Sequence, residues 1–422
     1  MSRDQKSDYE RAKARYAEWG VDVEQAVEAA LQVPVSLHCW QADDVGGFEV
    51  KPDGLAGGGI MATGNHPGRA RNGDEVRQDM TKAMSLIPGA TRANVHACYC
   101  ETDGEFVERD QLLPKHFQRW MDWAKELGID LDFNPTFFAH PKAEEGYTLS
   151  NQDDETRAFW VEHGKACRKI AEAMADAQGS PCYVNWWTPD GSKDIPADRF
   201  GPRARMAKSY DEIMADGSVD KTKCVDFIES KLFGIGSEEY VVSSGEFCSD
   251  YAVSRKMGLC IDMGHFHPTE TIHGKISTHL QFMDKILLHV SRPIRWDSDH
   301  VVIFNDDVKN VFLEIQRGNV WDRVVVALDF FDASINRLGA YVIGTRATRK
   351  AILYALLDPT EKLQAVEAEG RNAERLALME EFKSMPFAAV WDELCSRADV
   401  PVGADWIREM TDYEESVQTK RG

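Results

Sequence analysis

Eight short runs rich in β-branched and other apolar residues recur along this chain with helical stretches between them, and that alternation limits the fold more than any other feature. The runs cover residues 34–40, 93–99, 129–133, 181–186, 224–229, 257–262, 285–291 and 323–330. Several, such as VVVALDF and KILLHVS, are almost continuously apolar, the pattern of parallel strands covered on both faces. Helical stretches at 74–87, 110–127, 153–178, 199–216, 246–256 and 271–283 supply the crossovers that parallel strands require. The expected fold class is therefore α/β, a (β/α)8 TIM barrel, with an open doubly wound sheet as the alternative.

Two stretches exceed a minimal barrel. Residues 41–73 follow the first strand, are dense in Gly and are too long for an ordinary connection. Leaving the C-terminal end of a strand, they belong to the face where barrels carry their sites, and they read as a lid loop or a flexible excursion. After the eighth strand, 346–357, 359–367, 372–383, 387–396 and 404–417 read as helices. The expected division is a barrel domain over 1–345, including an N-terminal helix and the lid loop 41–73, and a C-terminal helical extension over 346–422 that contributes oligomer contacts.

Charge narrows the function classes. Against 49 Lys and Arg stand 70 Asp and Glu, a net charge of -21 that repels phosphate backbones and anionic membrane surfaces. No apolar run approaches the ~18–20 residues needed to cross a bilayer, and the charged N-terminus lacks the pattern of a signal peptide. The nine cysteines, at 39, 98, 100, 167, 182, 224, 248, 260 and 395, are odd in number and scattered through apolar runs. They read as free thiols of a cytoplasmic protein, with Cys98 and Cys100 as core residues rather than zinc ligands.

The chemistry is written at the strand ends. Glu229 closes VDFIE, Asp262 closes LCID, His289 lies in ILLHV and Asp329 closes VVVALD. A buried carboxylate is costly unless its charge is compensated, and four such strands converging on one mouth bring like charges together. A divalent cation resolves the conflict, and three carboxylates with one imidazole suit Mn²⁺, Co²⁺ or Mg²⁺. Any one of these residues alone also fits a helix cap or an Arg partner.

A second group adjoins the first. His265 follows Asp262 by three residues, and Asp297 and Asp299 lie two apart in a WDSDH segment, so both face one side if the segment is extended. These three supply a second cation site unless the segment is a solvated loop, with Trp296 and His300 as candidate walls. Lys231, two residues beyond Glu229, is placed to donate to a substrate oxygen. His96, near the end of the second strand, reads as a proton shuttle or a satisfied core histidine. Trp187 reads as an apolar wall or ordinary packing, and His267 as support for the ligands.

The segments PVSLHCWQADDVGGFE, GGIMATGNHPGRARN, ESKLFGIG, IDMGHFHPTE, LLHVSRPIRWDSDHVV and ALDFFDASINR resemble those of bacterial L-rhamnose isomerases, from the first helix through the C-terminal helices. The resemblance implies a homotetramer acting on a small-molecule sugar, with two divalent cations per subunit, manganese preferred and Co²⁺ or Mg²⁺ as substitutes. It implies that Glu229, Asp262, His289 and Asp329 hold one cation, and that His265, Asp297 and Asp299 hold the other with Asp262 as a bridge. It also implies that Lys231, His96, Trp187 and Phe331 meet the sugar, and that the Gly-rich loop covers it.

The expected reaction is aldose–ketose interconversion of L-rhamnose and L-rhamnulose. His96, with Asp329, assists ring opening; the cations stabilise charge on O2 and one carries the water that takes its proton; Lys231 and His265 act beside them; hydride passes from C2 to C1. A cis-enediol route is the competing step. The apolar lid residues Phe48, Leu55, Ile60 and Met61 are candidates to cover the sugar's methyl group. Rival readings are a sister isomerase preferring xylose, L-mannose or L-lyxose, a metal-dependent hydrolase, and a carbohydrate-binding protein.

Overall fold

The computed structural model describes residues 3–50, 62, 64–233, 239–267, 269–295 and 298–421. Eight parallel strands close into a barrel: β1 (Val35–His38), β2 (Thr91–His96), β3 (Asp130–Asn134), β4 (Cys182–Trp187), β5 (Cys224–Glu229), β6 (Gly258–Asp262), β7 (Ile286–Val290) and β8 (Val324–Leu328). Each pairs with its neighbour in sequence and β1 returns to β8, so the expected (β/α)8 architecture is the observed one. A two-stranded antiparallel ribbon, Gly191–Ser192 with Tyr240–Val241, lies outside it.

Alternation along the strands sorts the barrel interior into layers. On β5–β8, Phe227, Cys260, Leu287 and Val325 form a buried apolar cluster; the next inward positions on β5–β7 are Glu229, Asp262 and His289, and Asp329 follows four residues after Val325, just past the end of β8. Gly258 lets the floor close, because a Cβ there would lie 2.3 Å from the Phe227 ring. On β1–β4 the floor is polar: Arg92 grips Asp132 through Nε and Nη2 at 3.0 and 2.8 Å, Ser36 donates to the same carboxylate at 2.7 Å, and the guanidinium lies over the Tyr183 ring.

The crossover helices start where side chains can cap them. Asn72, Asp153, Ser244 and Asn305 each accept a backbone N–H in the first turn, and Gly128 and Gly179 end helices with positive φ.

Three expectations shift. The helix expected over 110–127 is broken into 3-10 turns at Arg109–Gln111 and Pro114–Phe117, and the α-helix proper is Gln118–Leu127, because Pro114 holds Leu113 extended. The helix expected over 271–283 is confined to His273–His279. The helix expected from 346 begins at Arg337, where the Asn336 side chain caps it, and runs to Leu356. It crosses the 345/346 boundary without interruption, and its nearly all-round burial removed the one-sided apolar stripe that marks most helices.

The C-terminal segment returns to the barrel mouth. Arg421 donates to the Gly68 carbonyl and grips Asp79 with two nitrogens at 2.7 and 2.8 Å. All nine cysteines are free and buried. Among the described residues no helix is long and apolar enough to cross a membrane.

Candidate functional site

Parallel register brings the acidic strand ends together. Asp262 pairs with His289 across β6 and β7, Glu229 pairs with Cys260 across β5 and β6, and His289 pairs with Ala327, two residues before Asp329. His289 Nδ1 consequently lies 3.5 Å from Glu229 Oε1, 3.6 Å from Asp262 Oδ2 and 3.3 Å from Asp329 Oδ2. One candidate ligand atom from each of Glu229, Asp262, His289 and Asp329 falls within 4.8 Å of the others. Asp262, His265 and Asp299 form a second such group. Asp297 and Trp296 lie outside the described residues.

The ligand atoms are incompletely satisfied by protein. Asp262 Oδ2 and both nitrogens of His289 are buried with no hydrogen-bond partner, a costly state unless something else occupies their lone pairs. The opposite carboxylate oxygens are fixed: Ser291 Oγ and the Gly264 N–H donate to Asp262 Oδ1 at 2.9 and 2.6 Å, Trp40 Nε1 donates to Asp329 Oδ1 at 3.0 Å, and Asn185 Nδ2 donates to Glu229 Oε2. Ligand groups held on one side and open on the other fit a divalent cation. Cys260 also lies near Glu229 and His289, and burial raises its thiol pKa, so it ionises less readily than the carboxylates beside it.

Crowding of like charge moves the proton equilibria apart. Burial, reinforced by Asp299 and Glu229 against the pull of His265, pushes Asp262 up to about 7. Burial opposes ionisation of Glu229 too, yet the His289 and His265 imidazoles hold that carboxyl below its usual range. His289 is raised despite burial, with Cys260 and Glu229 beside it.

Lys231 stands over the second group, its Nζ 2.7 Å from His265 Nε2 and 3.7 Å from Asp299 Oδ2. Trp187 lies beneath the ammonium at 5.4 Å and is stacked on the His265 ring at 27°. A cavity of about 270 Å³ opens here, lined by His96, Trp187, Lys231, Phe331 and the candidate ligands Glu229, His265, Asp299 and Asp329.

Other expectations fall elsewhere. His267 is exposed and bonded to Thr269, and His300 is exposed, bridging to Arg292. Phe48 packs edge-on against Tyr99 and does not line the cavity, while Leu55, Ile60 and Met61 lie outside the described residues.

Trp40, Val45, Asn134 and Phe138 also line the cavity and were not anticipated. Trp40 and Asn134 sit at or just past the ends of β1 and β3, a position that could have marked them. Asp44 and Val45 carry φ of 59° and 58°, a conformation that costs a β-branched residue about 1–3 kcal/mol. Arg337 holds that turn, with two nitrogens on Asp44 at 2.7 Å each and one on the His66 carbonyl across the loop.

A family model described as L-rhamnose isomerase (RhaA) matches residues 3–421. The chain is 50% identical over 414 residues to the L-rhamnose isomerase of Escherichia coli strain UMN026, covering 98% of each chain. It is equally similar, over the same share, to that of Klebsiella pneumoniae strain ATCC 700721. The chain belongs to the L-rhamnose isomerase family.

Proposed function

We propose that this chain interconverts L-rhamnose and L-rhamnulose as a metal-dependent aldose–ketose isomerase. The observation that carries the reading is the acidic rim of the barrel, whose buried ligand atoms converge without hydrogen-bond partners in a chain that matches isomerases over nearly its whole length.

In this reading Glu229, Asp262, His289 and Asp329 hold one divalent cation, and His265, Asp297 and Asp299, sharing Asp262, hold a second. The oxygen-rich donor set favours Mn²⁺, with Co²⁺ or Mg²⁺ as substitutes. Bound there, the cations supply Lewis-acid stabilisation for the charge that grows on the sugar oxygens.

The protein's own groups do the rest. His96 meets the ring oxygen during opening, beside Asp329, which Trp40 keeps in one orientation. Lys231 donates to O1 or O2 of the open chain and is itself held against His265 and Trp187. Trp187, Phe331 and Phe138 present apolar faces to the sugar's C–H groups and keep water from the reacting carbons. Hydrogen then passes directly from C2 to C1.

The working protein is a cytoplasmic homotetramer in which helices beyond the barrel contribute subunit contacts, a reading supported by nine buried free thiols and by the separate C-terminal helices. The deciding experiment strips the protein of metal, restores Mn²⁺, and measures ketose formation from L-rhamnose, L-mannose, L-lyxose and xylose. L-rhamnose should be converted fastest and only with metal; faster conversion of xylose would move the assignment to a sister isomerase. With C2-deuterated L-rhamnose, label retained at C1 supports direct transfer, and washout into water defeats it.

A further inference from the structure

Thr136 lies two residues beyond β3 and is wholly buried. Its main chain is clamped on both sides. The Thr136 N–H donates to His163 Nε2 at 3.2 Å, while its carbonyl accepts from Arg109 Nη1 at 2.9 Å. Arg109 is locked in turn by two bonds to Glu49 at 2.8 and 2.7 Å. His163 completes the frame, its Nδ1 lying 3.0 Å from the Arg109 carbonyl. Because Nδ1 faces a carbonyl it must be the protonated nitrogen, which leaves Nε2 as the acceptor that the Thr136 N–H requires.

This frame presents one hydroxyl to the cavity wall. Thr136 Oγ1 lies 2.6 Å from His96 Nδ1 and accepts the Cys98 N–H at 3.1 Å. A threonine hydroxyl has one hydrogen and two lone pairs. If His96 Nδ1 carried a proton, that hydrogen and the Cys98 N–H would fill both lone pairs, and the hydroxyl hydrogen would be left with the Cys98 thiol, a weak acceptor. If Nδ1 is bare, the hydroxyl donates to it and every strong group is satisfied. Leaving a buried donor without a good partner costs about 1–3 kcal/mol, so the second arrangement prevails.

We propose that Thr136 is a positioning residue that holds His96 as the Nε2–H tautomer, so that the imidazole serves the sugar as a fixed hydrogen-bond donor and not as a proton shuttle. The reading rests on the isomerase function given above. His96 lines the cavity, and with Nδ1 engaged, Nε2 is the ring atom left for a ligand oxygen. Burial and the Arg109 charge both disfavour a second proton on the ring, against Glu229, with His163 and His289 adding to the effect. On opening, the proton that the ring oxygen gains is balanced by the one that the anomeric O1–H gives up, so His96 lends a hydrogen bond and undergoes no net proton transfer.

Neutron diffraction from deuterium-exchanged crystals of the manganese-loaded enzyme reads the tautomer directly. Deuterium is expected on His96 Nε2, with the Thr136 deuteron directed at Nδ1; deuterium on Nδ1 overturns the proposal. Kinetics give a second reading. Thr136→Val should lower kcat/KM for L-rhamnose about tenfold, and Thr136→Ser should stay within about twofold. Equal rates for the valine and serine variants would reject the positioning role. The serine variant and the neutron map keep the test decisive if the valine variant fails to fold. A wild-type enzyme that leaves L-rhamnose unconverted would refute the isomerase reading while the nuclear density still settles the tautomer.

Discussion

The two halves of the barrel interior handle buried carboxylates in opposite ways. Within β1–β4, Asp132 is held by Arg92 and Ser36 at the floor, so its charge is answered by protein. Within β5–β8, an apolar floor of Phe227, Cys260, Leu287 and Val325 lies under Glu229, Asp262 and Asp329, and among the described residues no guanidinium reaches them. A carboxylate with a guanidinium is neutralised by the protein; carboxylates that face one another and imidazoles, with lone pairs left open, form the kind of site that a divalent cation would stabilise. Position in the barrel alone would not separate the two, because both kinds are buried and both face inward.

The contrast breaks most visibly if a ligand is removed. Asp262→Ala should cut kcat/KM for L-rhamnose by about a thousandfold, measured as ketose formation in excess Mn²⁺, while the metal-free protein keeps the wild-type unfolding midpoint or exceeds it. Near-normal activity in that variant would erase the distinction drawn here. Arg92→Met should do the reverse, losing ~3–5 kcal/mol of stability by stranding Asp132, read from denaturant unfolding, with activity per folded molecule preserved.

Metal addition sharpens the comparison further. Mn²⁺ at about 100 times its dissociation constant should stabilise the wild type by about 3 kcal/mol, and Arg92→Met by a similar increment, but not Asp262→Ala. The smallest effect concerns a solvent-facing cluster around Glu24 that serves as a control. Lys13, with Arg397 and Tyr9, draws Glu24 down to about 2 from 4.5. A depressed carboxyl contributes stability above its unfolded value and loses it as pH falls toward the folded one. Solvent screening keeps that contribution below about 1 kcal/mol, so the stability gap between wild type and Glu24→Gln should shrink between about pH 4.5 and 2.

Strands such as β7 and β8 were legible because buried parallel strands read as nearly continuous apolar runs, and Glu229, Asp262 and Asp329 stood out at the ends of such runs. Arg92 and Asp132 carried no such contrast: they lie in runs, TRANVH and DLDFN, that already alternate polar with apolar residues, and their pairing is a property of register. Helix Arg337–Leu356 hid its start because it is buried on nearly every side. Trp40, Val45 and Asn134 escaped notice for a different reason. Each residue type is ordinary, and only closure of the barrel places it at the mouth. The bond from Trp40 to Asp329 spans 289 residues, a separation that no local pattern encodes.

The nine enclosed sulfurs give the fold a built-in clock. Cys260 sits two residues below Asp262, inside the barrel, where alkylating reagents reach it only when the cylinder parts. The rate at which that sulfur is labelled therefore counts barrel openings, and a cation tying β5 to β8 together should slow the count without touching the sulfur itself.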